Sequence, residues 1–429
     1  MQRRLEEAAK LADAGKHQEA LVIYKALTEQ YPQLHSPWVG LGCMEGEISR
    51  DRAEPFGGKD AFAKAIQIRV SPHVLNDLAN IFLRNEWRWR EAEKFYKEAV
   101  IRHGLLSCAE NLAICMMTVA PMKGTEEAWR EAWQWYEWRT MNVWRDADQC
   151  WRGEPLKGKR IVIHLEQGLG DHAFGFRFIK QAKEEGATTL VMAPKPLERL
   201  CKAQPYIDHV YESSKQHKIL TDYVTGNMSM PGYMLPHSLP KRDGGYIKSG
   251  LPMQKTGKTR IGLAWAGSVD KNYQAWRNIP LGMLGAITAI LPNVEFVSLQ
   301  KGEHENDAPE VPLNRQLIKR CIDLWDTARL IESCDLVIST DTVIPHLSAA
   351  IGVETWVLSR WIGDWMWGAA GHDPGWYFNT TIFRQPSFGA WMPVMDSLME
   401  YLENWDAEQR HHAGQSGRPE SAGLILPAG

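Results

Sequence analysis

The sequence lacks a dominant charge: 49 Lys and Arg stand against 52 Asp and Glu, a net −3 over 429 residues. That balance gives no global pull toward nucleic acid or an anionic membrane. A nucleic-acid partner therefore has no support from net charge and would need a local basic groove. There is no apolar run of about 18 residues, so no membrane span is expected. The N-terminus, MQRRLEEAAKLADAGKH, is charged and carries no apolar signal core. Seven cysteines are present, but none forms a CxxC pair, and the odd count fits reduced thiols. The expectation is a cytoplasmic chain without a metal site. The GxGxxG dinucleotide fingerprint is missing as well: after Gly168 and Gly170 come Asp171, His172 and Ala173.

Tryptophan is abundant, with 19 residues, and many cluster at 129–151 and at 361–376. The first third repeats itself. WREAEKFYKEAV (Trp89 to Val100) returns as WREAWQWYEWRT (Trp129 to Thr140), and QEALVIYKAL (Gln18 to Leu27) is an earlier relative. Each places Ala four residues before Tyr: Ala20 and Tyr24, Ala92 and Tyr96, Ala132 and Tyr136. Phe62 and Tyr96, Ala65 and Ala99, and Leu78 and Leu112 are each 34 apart. A small residue lets two helices approach, and the aromatic fills the space beside it. Pro32 and Pro72 fall at repeat boundaries, and loop insertions are expected around SRDRAEPFGGKD and VAPMKGT. A 34-residue period with this pattern resembles the tetratricopeptide family over about residues 1–140, in four units. Such arrays grip a peptide or brace a neighbouring domain.

From Lys157 onward the period changes. KRIVIHLE, TTLVMAP and DHVYES form one series of short apolar runs. TRIGLAWAG, VEFVSLQ, DLVIST and ETWVLSR form a second, separated by helical stretches. Alternating strands and helices predict two parallel sheets with helical crossovers. The Gly-, Pro- and Lys-rich stretch His237 to Lys258 reads as a linker between two Rossmann-like halves. Ligands of such sheets bind at the C-terminal strand ends.

The loops at those ends carry the chemistry. After the first strand, Gly168 and Gly170 allow close backbone approach, and Asp171 stands at a helix start. Asp171 could cap that helix or serve as a general base, with His172 as understudy. After TRIGLAWAG, the Trp265, Gly267 and Ser268 segment can turn backbone N–H groups to a ligand, with Lys271 and Arg277 nearby as cations. In ISTDTVIPHLSAA, Asp341 and Thr342 open a helix, and His346 lies on the same face one turn on. A hydroxyl, an imidazole and free N–H groups at one helix end suit a diphosphate without a metal. Asp146 and Asp148 mimic a metal-binding DxD motif but read as solvated surface.

In order, the chain shows GxGD, L-x-W-x-G, R-x-I-P-L, V-S-L-Q-K with Gln300, and D-T-x-x-x-H-L-x-x-A-x-G. Asp364-Trp365-Met366-Trp367, Trp376-Tyr377 and Phe383-Arg384-Gln385 follow. This series resembles glycosyltransferase family 9, which contains the ADP-heptose:lipopolysaccharide heptosyltransferases, and in particular its members fused to tetratricopeptide repeats. The resemblance spans about residues 155–400. It implies a GT-B architecture of two Rossmann-like domains and an inverting, metal-independent, cofactor-free transfer from a nucleotide-sugar donor. Asp171 would be the base. Gly168, Gly170, Trp265, Gly267, Ser268, Lys271, Arg277, Gln300, Asp341, Thr342 and His346 would line the donor side. Pro345 and the LSRW stretch depart from the family pattern and bear on sugar identity.

The expected class is α plus α/β: a helical repeat domain over 1–145, an acceptor-side half over 146–250, a donor-side half over 251–405 and a disordered tail over 406–429. The helix WMPVMDSLMEYLENW would close back onto the first half. The acceptor would be a glycan, a lipid-linked glycan or a protein, held by the repeat groove. Two other readings stand beside this one: a non-catalytic scaffold with a degenerate transferase fold, and a transferase acting on modified DNA bases.

Overall fold

The computed structural model describes residues 1–52, 54–139, 147–234, 244–254, 257–267, 277–308, 310–368 and 371–414. The chain divides into two compact units, the first over Met1–Asn142 and the second holding both sheets.

The first unit is built from helices α1 (Gln2–Asp13), α2 (His17–Gln30), α3 (His35–Asp51), α4 (Lys59–Ile68), α5 (Pro72–Arg84), α6 (Trp89–Lys97), α7 (Ala109–Lys123) and α8 (Glu126–Tyr136). Each packs on the next, giving the four pairs that the period requires. Gly15, at φ 72°, makes the turn between α1 and α2. Pro72 opens α5, where its missing N–H costs nothing. The repeat-defining Ala20, Ala65, Ala92, Ala99 and Ala132 are completely buried. Glycines supply two further seats. A Cβ at Gly40 would enter the Tyr24 ring, and one at Gly42 would lie 2.6 Å from the Phe62 ring. The two aromatics of α2 and α4 thus press directly on the α3 backbone. The first expected insertion is a loop, clamped by Asn85, whose side chain bonds both the Phe56 amide (3.1 Å) and its carbonyl (2.8 Å). The second is not. α7 runs through Pro121 to Lys123, and Gly124 at φ 65° ends it in a tight turn. Pro121 falls in the last turn, where its missing N–H deprives the Met117 carbonyl of its intrahelical bond.

The second unit opens with β1 (Arg160–His164), α9 (Leu169–Glu184), β2 (Thr188–Ala193), α10 (Glu198–Lys202), β3 (His209–Glu212), β4 (Tyr223–Gly226) and the short α11 (Met230–Tyr233). It continues with β5 (Arg260–Ala264), α12 (Leu281–Ile290), β6 (Glu295–Ser298), α13 (Gln316–Lys319), α14 (Leu324–Glu332), β7 (Leu336–Thr340), α15 (Val343–Ile351), β8 (Glu354–Ser359), β9 (Thr380–Arg384) and α16 (Trp391–Gly414). Two parallel sheets result, ordered β3-β2-β1-β4 and β6-β5-β7-β8-β9. Covered on both faces, β5 and β7 are buried at every residue, which is why they read as continuous apolar runs.

The halves are tied to each other at several points. α9 packs on α15, and α10 packs on α14. Arg199 of α10 reaches Asp323 (3.3 Å) and Asp326 (3.0 Å), and its guanidinium lies 4.2 Å from the Trp325 ring centre. The expected linker is docked chain where it is described. The Ile247 amide bonds the Ala350 carbonyl at 3.0 Å, Gln204 brackets Lys248 at 2.8 and 2.9 Å, and Met253 bonds Arg329 at 3.0 Å. Two further expectations need correction. α16 closes onto the second half, because Trp391, Val394, Met395, Leu398, Leu402 and Trp405 join the core that holds Ile261, Leu284 and Trp356. The helix also continues through Gly414, past the expected tail boundary at 406. All seven cysteines are free thiols. Among the described residues no helix is long and apolar enough to cross a membrane.

The α3 contacts predict opposite signs for two glycine substitutions. Gly42→Val should destabilise the helical unit by about 1–3 kcal/mol through overpacking. Gly46→Ala should stabilise it by about 0.5–1 kcal/mol, since the new Cβ meets only the Gly57 carbonyl oxygen, at 3.8 Å. Hydrogen exchange of the α3 amides reads both.

Candidate active site

The site forms where the starts of α9 and α15 meet. β1 ends at His164, and the chain turns through Gln167 at φ 70°, a strained conformation for a residue with a side chain. Asn227, just past β4 and fully buried, holds this turn. Its Oδ1 accepts from the Glu166 amide (2.8 Å), and its Nδ2 donates to the Asp171 carbonyl (3.1 Å). Nothing in the sequence singled out Asn227. Its signal is spatial, since it lies 56 residues from Asp171.

Asp171 occupies the third position of α9. Its Oδ2 accepts from the Gly168 amide at 2.9 Å, so the capping role is realised. The carboxyl is pushed up to about 7, first by burial and then by the negative charges of Asp364 and Asp341. It nevertheless keeps partial access to solvent. Cap and base are therefore compatible in one residue. His172 differs: it is buried, its ring is pushed down to about 4 by burial, and only the backbone of Glu166 offsets this. Neither ring nitrogen makes a well-formed hydrogen bond among the described residues. Its burial sets it apart from Asp171, which keeps partial access to solvent.

The residue that explains Gly170 is His346. A Cβ at position 170 would lie 2.7 Å from His346 Cδ2 and 3.4 Å from Nε2. Only glycine lets α9 start against that ring. His346 is buried, and burial, with Arg177 and Arg277 nearby, pushes it down to about 4 against the pull of Asp341. Its Nδ1 lies 3.0 Å from the Tyr377 hydroxyl, and its ring stacks on Trp367 at 4.2 Å. Trp367 Nε1 donates to Asp341 Oδ1 at 2.8 Å. Arg384 in turn fixes that tryptophan, bonding the Trp367 and Gly368 carbonyls at 3.0 and 2.9 Å. Burial pushes the Arg384 guanidinium down to about 10, while Asp341 raises it. Thr342 caps α15, accepting from the Ile344 amide at 3.2 Å.

On the β5 side the expected residues separate into two groups. Gly267 meets Arg277, whose Nη2 rests where a Cβ would stand, and the Gly267 amide donates to Asn278 Oδ1 at 2.9 Å. Arg277 Nε is buried without a partner among the described residues. Its charge lies near enough to His346 to disfavour the imidazolium there. Trp265 and Gln300 are scaffolding. Trp265 sits in the core and donates to Asp307 at 3.3 Å. Gln300 spends both ends on backbone: the amides of Trp265 (3.1 Å) and Ala266 (3.0 Å), and the carbonyls of Ala266 and Lys301 (3.0 Å each). They shape the loop and are not free to take a ligand. Ser268 and Lys271 lie outside the described residues, as does Asp146 of the DxD look-alike. Among the described residues no His, Cys, Asp and Glu group has the arrangement of a metal site.

No family model matches the chain. Among curated proteins it is similar to Protein FlbA of Caulobacter vibrioides (strain ATCC 19089 / CIP 103742 / CB 15), 24% identical over 449 residues, covering 93% of this chain and 72% of that one. Among solved structures it is similar to the E. coli heptosyltransferase WaaC with ADP-2-deoxy-2-fluoro heptose, at 12% identity and a TM-score of 0.42, over 57% of this chain and 99% of that one. It is also similar to an O-GlcNAc transferase mutant of Thermobaculum terrenum, at 10% identity and a TM-score of 0.33, over 95% and 93% of the two chains.

The raised Asp171 pKa carries a stability consequence. A carboxyl that titrates near 7 when folded and near 4 when unfolded binds more protons in the folded state between those values. Stability contributed there is lost as pH rises from about 4 to 7. Asp171→Asn removes that loss and should make the fold more stable than the parent at pH 8, by about 1–2 kcal/mol after solvent screening. At pH 4 the two proteins should melt alike. Urea titrations at both pH values check this.

Proposed function

We propose that the second unit is an inverting glycosyltransferase that takes a nucleotide-sugar donor. The observation that carries the reading is the meeting of Asp171, at the start of α9, with Asp341 and His346, at the start of α15, under the charge of Arg277. One side offers a carboxylate of raised pKa, and the other offers a positive helix end and a guanidinium. The order of the motifs, which resembles glycosyltransferase family 9, supports the same reading.

In this reaction the acceptor hydroxyl oxygen attacks the anomeric carbon from the face opposite the diphosphate. The new C–O bond forms as the bond to the diphosphate oxygen breaks, and the configuration inverts. The hydroxyl proton passes to the Asp171 carboxylate. The leaving diphosphate gains negative charge. The N–H groups of α15's first turn and the Arg277 guanidinium stabilise it, and no metal is called on. Burial, with two carboxylates nearby, keeps the proton affinity of Asp171 high enough for the task at neutral pH. The acceptor is a glycan, a lipid-linked glycan or a protein, and the helical repeat unit is the element suited to holding it.

Transfer assayed by mass spectrometry against a panel of nucleotide sugars, with titration calorimetry of UDP, ADP and GDP, tests this reading. One nucleoside diphosphate should bind. The rate should rise with pH and level off above about 7, as Asp171 loses its proton. Asp171→Asn should cut turnover about 100- to 10,000-fold and leave nucleotide affinity intact. Arg277→Ala should cut it about 100- to 1,000-fold. Failure of every nucleotide to bind would favour the scaffold reading, and steeply salt-dependent DNA binding would favour a DNA acceptor.

A further inference from the structure

The buried polar chain behind His346 is larger than holding one ring requires. Arg177, from the middle of α9, is buried, with its guanidinium 4.6 Å from the ring centre of Phe174, 5.0 Å from Tyr246 and 4.7 Å from Tyr377. Its Nη1 donates to the Trp376 carbonyl (2.9 Å) and its Nη2 to the Tyr246 hydroxyl (3.1 Å). Tyr246 passes its own proton to the Ala173 carbonyl at 3.3 Å. Tyr377 is 1% exposed, and its hydroxyl lies 3.0 Å from His346 Nδ1.

Proton bookkeeping fixes the directions. A guanidinium can only donate, so the hydroxyl oxygens beside it are acceptors toward it, and each must send its single proton elsewhere. Tyr246 sends its proton to a carbonyl, which can only accept. Tyr377 has two acceptors within reach, the Tyr246 hydroxyl and His346 Nδ1. The Tyr246 oxygen already accepts from Arg177, and an imidazole nitrogen is the stronger acceptor, so the Tyr377 proton is assigned to Nδ1. Proton-free at Nδ1, a neutral imidazole carries its hydrogen on Nε2. The Cδ2–Nε2 edge is the one turned to Gly170 and the start of α9.

We propose that Tyr377, oriented by Arg177, is a positioning residue that locks His346 in the tautomer with hydrogen on Nε2. The imidazole then serves as a neutral hydrogen-bond donor at the meeting of the two helix starts and is removed from competition for the acceptor proton. The tautomer rests on this geometry and on the acceptor strength of the ring nitrogen, while its use in transfer rests on the reading under Proposed function. Two arginines, Arg177 and Arg277, and one carboxylate, Asp341, surround the ring. They favour a neutral donor over an imidazolium facing two cations. In the transferase reading, Nε2–H meets the donor oxygens as negative charge builds there, and Asp171 alone takes the proton.

The test is nitrogen NMR of the full chain labelled with 15N-histidine, in which the His346 signals are those lost in His346→Gln. The expected pattern is a proton-free Nδ1 and a protonated Nε2. Tyr377→Phe should let the two tautomers mix. It should also lower kcat about tenfold while leaving KM for the donor within about twofold. A protonated Nδ1 in the parent protein overturns the proposal. So does a Tyr377→Phe protein with the parent's tautomer. The expected tautomer in a protein without transfer activity sustains the proposal and defeats the transferase reading.

Discussion

The contact between Gly170 and the His346 ring is the constraint on which the site depends. It sets how closely α9 and α15 approach and so brings a carboxylate on one helix start to the positive end of another. With any side chain at 170, the ring or the helix must retreat, and the charges that give the site its character separate. The surrounding structure serves this closeness. Asn227 holds the turn before α9, Trp367 and Tyr377 hold the ring, and Arg384 holds Trp367 by its own and the following carbonyl.

The electrostatics follow from that packing. Burial, joined by the negative charges of Asp364 and Asp341, leaves Asp171 half-protonated near neutrality. Arg384 lies near Asp341, and Arg177 and Arg277 lie near His346, with Arg177 and Arg384 both donating to backbone carbonyls. A like-charge cluster of this kind costs stability, as does Gln167 in its left-handed turn. Both costs fall around the meeting of the starts of α9 and α15.

The periodic parts were legible in the sequence. Repeat spacing gave the helix pairs because each small residue has one neighbour to fit, and apolar runs revealed β5 and β7 because both their faces are covered. β4 was missed because it is four residues long and half-exposed, with the segment at Cys150 and Trp151 pairing along it. β9 was read as a motif rather than a strand. Asp171, Arg277, Asp341, Thr342 and His346 could be named from strand ends. Trp265 and Gln300 were assigned to a ligand because they stand in the right loop, yet their polar atoms are spent on the protein itself. Asn227, Arg177 and Tyr246 reach the site from distant sequence positions, and a linear pattern holds no trace of such convergence. Arg177 did leave one clue, a cation inside the apolar run AFGFRF.

The most direct measurement is hydrogen exchange of the intact chain with and without the nucleoside diphosphate that binds it. The account predicts that protection concentrates on the amides of Val343, Ile344 and His346, in the first turn of α15, with a smaller effect at Gly168 to Asp171. Bound nucleotide that leaves α15 unprotected, or protects only the helical repeats, would contradict it.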